Sequence, residues 1–317
     1  MPRCNRRDFA KAALAGLAAA SLAADRPAME PLIDTHTHFY DPTRPQGVPW
    51  PGKGDDRLYR AVLPPEFSKL TAPLGVTGTV VVEASPWLED NQWLLDLADR
   101  ETAIVGVVGN LTPGGEGFAG HLERFTQHRL FRGIRIGHDL LRKHLSDKVF
   151  VADVRRLAEH DLELDINGGP DMPADVARLA KLVPDLRIVI NHEANVRIDG
   201  NPPPRGWLDG MAAAAAQPGV FCKVSALAEG AAAAGELAPV ETDFYRPILD
   251  AVWKAFGEDR LIYGSNWPVS NRATSYPALL KIVREYFTEK GPQAASKYFH
   301  RNALEAYKWV QRPGENP

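Results

Sequence analysis

Leu32-Ile33-Asp34-Thr35-His36-Thr37-His38 opens the part of this 317-residue chain that reads as a fold. The run is short, apolar at its start and polar at its end. Seven further short apolar runs follow it, at residues 78–84, 103–108, 131–136, 162–167, 187–192, 220–225 and 260–264. Many are near-continuous Val, Ile and Leu, the composition of strands buried on both faces. Between them lie stretches whose apolar residues recur at helical spacing. Residues 91–100 carry Trp93, Leu94 and Leu97, and 149–160, 175–183, 244–256, 276–287 and 294–310 read alike. Eight strand–helix alternations predict parallel strands joined by crossover helices. The count of eight favours an α/β fold closed as a single (β/α)8 TIM barrel, because closure leaves no edge strand. A Pro-, Gly- and Arg-rich segment at 39–63 follows the first strand, and a second long loop at 226–240 follows the seventh. Loops at the carboxyl ends of barrel strands are where such folds build sites.

The composition agrees with a globular protein: 44% hydrophobic and 24% charged residues. A net charge of −3 offers no basic field for nucleic acid or an anionic membrane. Residues 1–24 read differently from the rest. Arg6-Arg7, with Phe9 and Lys11, precede an Ala/Leu run at 12–24, too short to span a bilayer, which takes about 20 residues. A charged start, a short apolar run and small residues at Ala23-Ala24 resemble a twin-arginine-type signal peptide. The expected organisation is therefore a signal at 1–24 and a barrel domain at 25–317. On that reading no stable membrane anchor is expected, and the expected location is the periplasm or outside the cell. Cys222 is then the one thiol of the mature chain and reads as a small buried hydrophobe.

A barrel would bring the polar residues that end the apolar runs to one mouth. His36 and His38 alternate along the first strand, so both imidazoles lie on one face and can share a metal. Glu83 ends the second run, and Arg135 sits between Ile134 and Ile136 in the fourth. Asp165 and Asn167 end the fifth, His192 the sixth, Lys223 lies in the seventh and Asn266 follows the eighth. Each alone has an ordinary structural reading: a hydrogen-bonded histidine, or a cation paired with a carboxylate, Glu83 or Asp165 in the case of Lys223. Together they predict a functional site, since buried polar groups are costly unless they are used or paired.

These residues carry a family resemblance. Residues 33–42 (IDTHTHFYDP), Asn191-His192, Lys223 with Ser225, and residues 263–269 (YGSNWPV) resemble, in order, the motifs of the amidohydrolase 2 family. Sugar and dicarboxylate lactonases show this pattern, and metal-dependent decarboxylases share the barrel. The resemblance implies water-driven opening of a lactone or sugar acid derivative, a small-molecule substrate and often one divalent metal. Zinc or manganese held by His36, His38, His192 and Glu83 is the expected form, with metal-free activity left open. One position departs. The family's final-strand Asp, its general base, is here Asn266, and an amide cannot accept a proton at neutral pH. Glu83 or His192 could take that role, or the metal could acidify its own water. Arg135 and Lys223 are candidates to stabilise an oxyanion or hold a substrate carboxylate. Arg44, Trp50 and Tyr59, on the long loop, are candidate substrate contacts. The alternatives are a metal-dependent decarboxylase, or a non-catalytic binding protein for an acidic sugar. No Gly-x-Ser-x-Gly elbow surrounds Ser225 or Ser265, and the Gly-Gly pairs lack the context of a dinucleotide fingerprint. The sequence leaves the oligomeric state open.

Overall fold

The computed structural model describes residues 31–233 and 236–308; the segment read as a signal, 1–24, lies outside them. In chain order the elements are β1 (Leu32–Thr37), α1 (Pro64–Thr71), β2 (Val76–Val82), α2 (Leu88–Arg100), β3 (Ile104–Gly109), α3 (Phe118–Thr126), β4 (Phe131–Gly137), α4 (His138–His144) and α5 (Lys148–Glu159). There follow β5 (Glu163–Asn167), α6 (Met172–Leu182), β6 (Arg187–Ile190), α7 (Arg205–Ala215), β7 (Val220–Val224), α8 (Leu227–Ala231), α9 (Thr242–Phe256), β8 (Leu261–Tyr263), α10 (Tyr276–Glu289), α11 (Pro292–Ser296) and α12 (Asn302–Tyr307).

The eight strands form one sheet in the order β1 to β8, each parallel to the next. Thr37 pairs with Trp267, and the His38 amide donates to the Trp267 carbonyl at 2.9 Å, which brings the first and last strands together. Asp34 strengthens that seam. Its carboxylate accepts from the Ser265 amide (2.9 Å), the His36 amide (3.1 Å) and the Tyr276 hydroxyl (3.0 Å). The (β/α)8 barrel read from the alternation is thus the observed architecture.

The apolar residues divide as the strand period requires. One set packs between sheet and helices. The other, including Ile33, Val80, Val105, Val189 and Ile262, packs with Ala303, Ala306 and Tyr307 of α12. Arg132 and Arg187, at the starts of β4 and β6, donate to the carbonyls of Tyr307 and Ala306 at 2.8 Å each. The last helix therefore stoppers the amino-terminal end of the barrel and leaves the carboxyl end as the open mouth.

Several boundaries differ from the periodicity reading. The sixth strand stops at Ile190, not at 192, because His192, Glu193, Ala194 and Asn195 all adopt left-handed backbone, φ +46° to +59°. The stretch 294–310 is not one helix: a π-helical turn at Lys297–Arg301 separates α11 from α12. The segment 226–240, read as a loop, contains the short helix α8.

Candidate active site

A cavity of about 750 Å³ opens at the carboxyl ends of the strands. His38, Glu83, Arg135, His192, Asn266 and Trp50 line it. Its size and mixed polarity suit a small ligand. Non-glycine residues with left-handed backbone cluster around it: His192 (φ +56°) after β6, Ala226 (φ +52°) after β7 and Asn266 (φ +59°) after β8. Such conformations cost free energy and persist where the surroundings impose them, commonly at functional sites.

His36, His38 and His192 form a ring cluster. The centroid of His36 lies 5.0 Å from that of His38 and 4.4 Å from that of His192. The period of the strand explains the first pair, as expected of His-x-His. Burial pushes all three imidazoles down, His38 to about 3, with the Arg135 and Lys223 cations adding to the effect. All three are neutral at physiological pH. In His38, Nδ1 lies 2.9 Å from the Val82 carbonyl and Nε2 lies 3.3 Å from Asn266 Oδ1. A neutral ring has one proton, and the buried carbonyl at the shorter distance claims it. The Nε2 lone pair therefore faces the Asn266 oxygen. The Asn266 amide is oriented from its other end, where Nδ2 donates to Glu229 Oε1 at 2.7 Å. His192 is held through Nδ1 by Ser225 Oγ at 2.7 Å. The Ser225 amide donates in turn to Glu193 Oε1 at 2.7 Å.

Lys223 lies beneath the cavity, not in its wall. Its ammonium pairs with Asp165 at 2.8 Å, both side chains fully buried, and sits 3.3 Å from His36 Nδ1. Burial lowers its pKa while Asp165 pulls it back up. Of the two carboxylates weighed for Lys223, the structure selects Asp165. Glu83 pairs instead with Arg135. The Arg135 Nε donates to Glu83 Oε1 at 2.8 Å, a terminal nitrogen donates to the Glu83 carbonyl at 2.7 Å, and Ser85 N donates to Oε2 at 2.9 Å. The guanidinium is thereby fixed in the cavity wall.

Two loop residues expected to touch substrate are not brought to this cavity. Arg44 forms a bidentate pair with Asp90 (2.9 and 3.2 Å) and lies over the Trp93 ring at 4.5 Å. Asp90 and Trp93 belong to α2, a partner the loop's own sequence does not announce. Tyr59 is half-buried and does not line the cavity. Trp50 does, with its ring 5.9 Å from His38 and edge-on to it. Arg272, not singled out from sequence, also reaches the wall and is ion-paired with Asp55 of the same long loop.

The four residues expected as metal ligands do not fit a divalent ion as a set. Glu83 is held and neutralised by Arg135, whose guanidinium would stand beside any cation the carboxylate took. His36 Nδ1 accepts from the Lys223 ammonium, which places the ring proton on Nε2, a buried atom with no hydrogen-bond partner, so that nitrogen presents a proton and not a lone pair. His38 and His192 remain, both neutral, with the charges of Arg135 and Lys223 bearing on them. Structural and catalytic ions generally require three or more protein ligands. Among the described residues no group of three or more His, Cys, Asp or Glu is arranged to hold one.

Glu229 was not anticipated. It lies on α8, in the Ala-rich segment that reads as loop, and lines the cavity. Burial raises its carboxyl to about 7. Only the approach of α8 to the end of β8 reveals it.

The amidohydrolase family profile matches residues 33–309. An L-fucono-1,5-lactonase of Burkholderia ambifaria is 34% identical over 288 residues, covering 89% of this chain and 96% of that protein. An L-fucono-1,5-lactonase of Burkholderia multivorans is 29% identical over 264 residues, covering 80% of this chain and 88% of that protein. Among solved structures, an amidohydrolase from Burkholderia multivorans with bound HEPES superposes with a TM-score of 0.80. It is 25% identical and covers 88% of this chain and 100% of that one. An amidohydrolase structure from the same organism with bound zinc gives a TM-score of 0.77 at 25% identity and the same coverage.

Proposed function

Because this chain belongs to the amidohydrolase family, we propose that it is a hydrolase that opens a sugar-derived 1,5-lactone by attack of water on the ring ester. L-Fucono-1,5-lactone and closely related aldonolactones are the substrates this reading favours, since two relatives that cover most of the chain carry that activity in their names. The observation that carries the reading is the cavity wall, where a fixed cation, two neutral imidazoles and an amide converge.

Each member has a task. Arg135, fixed by Glu83, presents a positive charge that needs no reorganisation when an oxyanion develops at the ester carbonyl. His38 Nε2, an acceptor at the cavity wall, suits a water molecule that donates one hydrogen to it and keeps the other for a base. Such a water is oriented with a lone pair free for attack. His192 contributes the second imidazole, fixed by Ser225. Trp50 offers an apolar ring over which a sugar's C–H face can lie. A divalent ion, in relatives that bind one, supplies a charge for the carbonyl and an acidified water. The residues here favour a reaction without one.

A pH-indicator assay over a panel of aldonolactones, with the spontaneous rate subtracted, tests the reading. Catalysed ring opening is expected with at least one 1,5-lactone, and the rate should be unchanged after exhaustive chelation. Folded protein that accelerates no member of the panel overturns the reading. Activity lost on chelation and restored by zinc or manganese overturns the metal-free part of it.

A further inference from the structure

Attack of water on an ester releases a proton, and the alkoxide that leaves must gain one. The amide of Asn266 can do neither. Three carboxylates line the cavity: Glu83, Glu229 and Glu236. Both oxygens of Glu83 are held by Arg135 and Ser85. Glu236 is exposed, so water screens and competes for it. Glu229 differs from both. Its Oε1 accepts from Asn266 Nδ2 at 2.7 Å, and its Oε2 is buried without a hydrogen-bond partner. Among the described residues it has no ion-pair partner. An unpaired, partly desolvated carboxylate at a cavity wall retains its capacity to take up and release a proton.

We propose that Glu229 is the general base and then the general acid of this site, with Asn266 the positioning residue that holds its carboxylate. The inference rests on the hydrolase reading and deepens it. In the first step the water oxygen bonds to the lactone carbonyl carbon, the carbonyl electrons move to oxygen, and the water proton passes to the Glu229 carboxylate. In the second the carbonyl reforms, the ring C–O bond breaks, and the proton moves from Glu229 to the departing alkoxide. The product is the open hydroxy acid and the carboxylate is regenerated.

Three independent features agree with this. The Asn266–Glu229 hydrogen bond sets a carboxylate one side chain further out than residue 266 itself. Asn266 also reaches to within 3.3 Å of His38, so the imidazole that would orient the water and the base that would take its proton are held by one amide. The carboxyl, raised to about 7 by burial, is matched to accepting a proton from water and returning it near neutral pH.

The test is kcat/KM against pH for the wild type, Glu229→Gln, Glu229→Asp and Glu229→Gln combined with Asn266→Asp, each checked for folding by circular dichroism and Tm. The wild-type profile should fall on the acid side with a midpoint near 7, because the base must be ionised. Glu229→Gln should lose about 10²- to 10⁴-fold and lose that limb. Glu229→Asp should keep the limb at a displaced midpoint, which reads the inference even if the Gln variant fails to fold. The double variant should recover part of the loss by returning a carboxylate to position 266. A Glu229→Gln enzyme within a few-fold of wild type, or an Asp variant with an undisplaced limb, overturns the inference while lactone opening stands. A folded wild type that opens no lactone overturns the hydrolase reading and this inference together.

Discussion

At the residue scale, the site is a set of groups whose hydrogen bonds fix what each can donate or accept. His38 and Asn266 were legible in the sequence because strand alternation and strand ends place them at the mouth. Arg135 and His192 were legible on the same grounds. Arg44 was not, because whether a loop cation faces a ligand or a carboxylate depends on which helix lies beneath, and Asp90 lies there. Glu229 was hidden by its Ala-rich surroundings, and nothing in its own stretch points at Asn266. Its burial makes a stability prediction. With a folded pKa of about 7 against an ordinary 4.5, Glu229 binds more proton in the native state than in the unfolded chain between those values. The native state is therefore favoured below pH 4.5, and that contribution is lost as pH rises towards 7 and beyond. Glu229→Gln, which keeps the hydrogen bond to Asn266 without the charge, should be more stable than wild type above pH 7. The two should converge below pH 4.5 in chemical denaturation at each pH. A constant difference across the range contradicts the assigned burial of this carboxyl.

At the scale of the elements, the strands were legible because buried parallel strands are near-continuous apolar runs, and their starts and ends fall within a few residues of the expected ones. What periodicity could not show was the left-handed exit from β6, which is a property of backbone rather than of composition. Short helices such as α4 and α8 were equally invisible, having too few turns to display a period. The end of β8 illustrates how tightly the elements seat the site. A Cβ on Gly264 would lie 2.8 Å from His36 Cβ and 3.2 Å from both Lys223 Cδ and Ser225 Cβ. Backbone approach this close needs glycine. Gly264→Ala should destabilise the fold by about 1–3 kcal/mol in denaturant unfolding and lower kcat by displacing His36 and the Ser225 that orients His192. Wild-type stability and rate in this variant would mean that the eighth strand does not set the positions of these side chains.

At the scale of the whole molecule, the barrel separates stability from chemistry. Its amino-terminal end is closed by α12, with Tyr307 donating to Asp165 at 3.0 Å, and its carboxyl end is left for the cavity. The long segment after β1 is tied across that mouth. Asp55 pairs with Arg272, and Arg57 donates to the Arg272 carbonyl at 2.7 Å, which keeps Trp50 at the rim. The fold and the polar mouth were readable from strand count and strand ends, and the class of chemistry from the family resemblance of residues 33–42 and 263–269. The proposed proton acceptor was not, because what positions Glu229 is a contact with Asn266, 37 positions away, that only the closed barrel makes.

The most direct test of the account is the opening of L-fucono-1,5-lactone by metal-stripped protein in H₂¹⁸O, followed by mass spectrometry of the acid formed. The account expects a rate well above the spontaneous one, with a single ¹⁸O in the product carboxyl group. No acceleration by folded protein, or label found elsewhere in the product, would contradict water attack on the lactone carbonyl at this mouth.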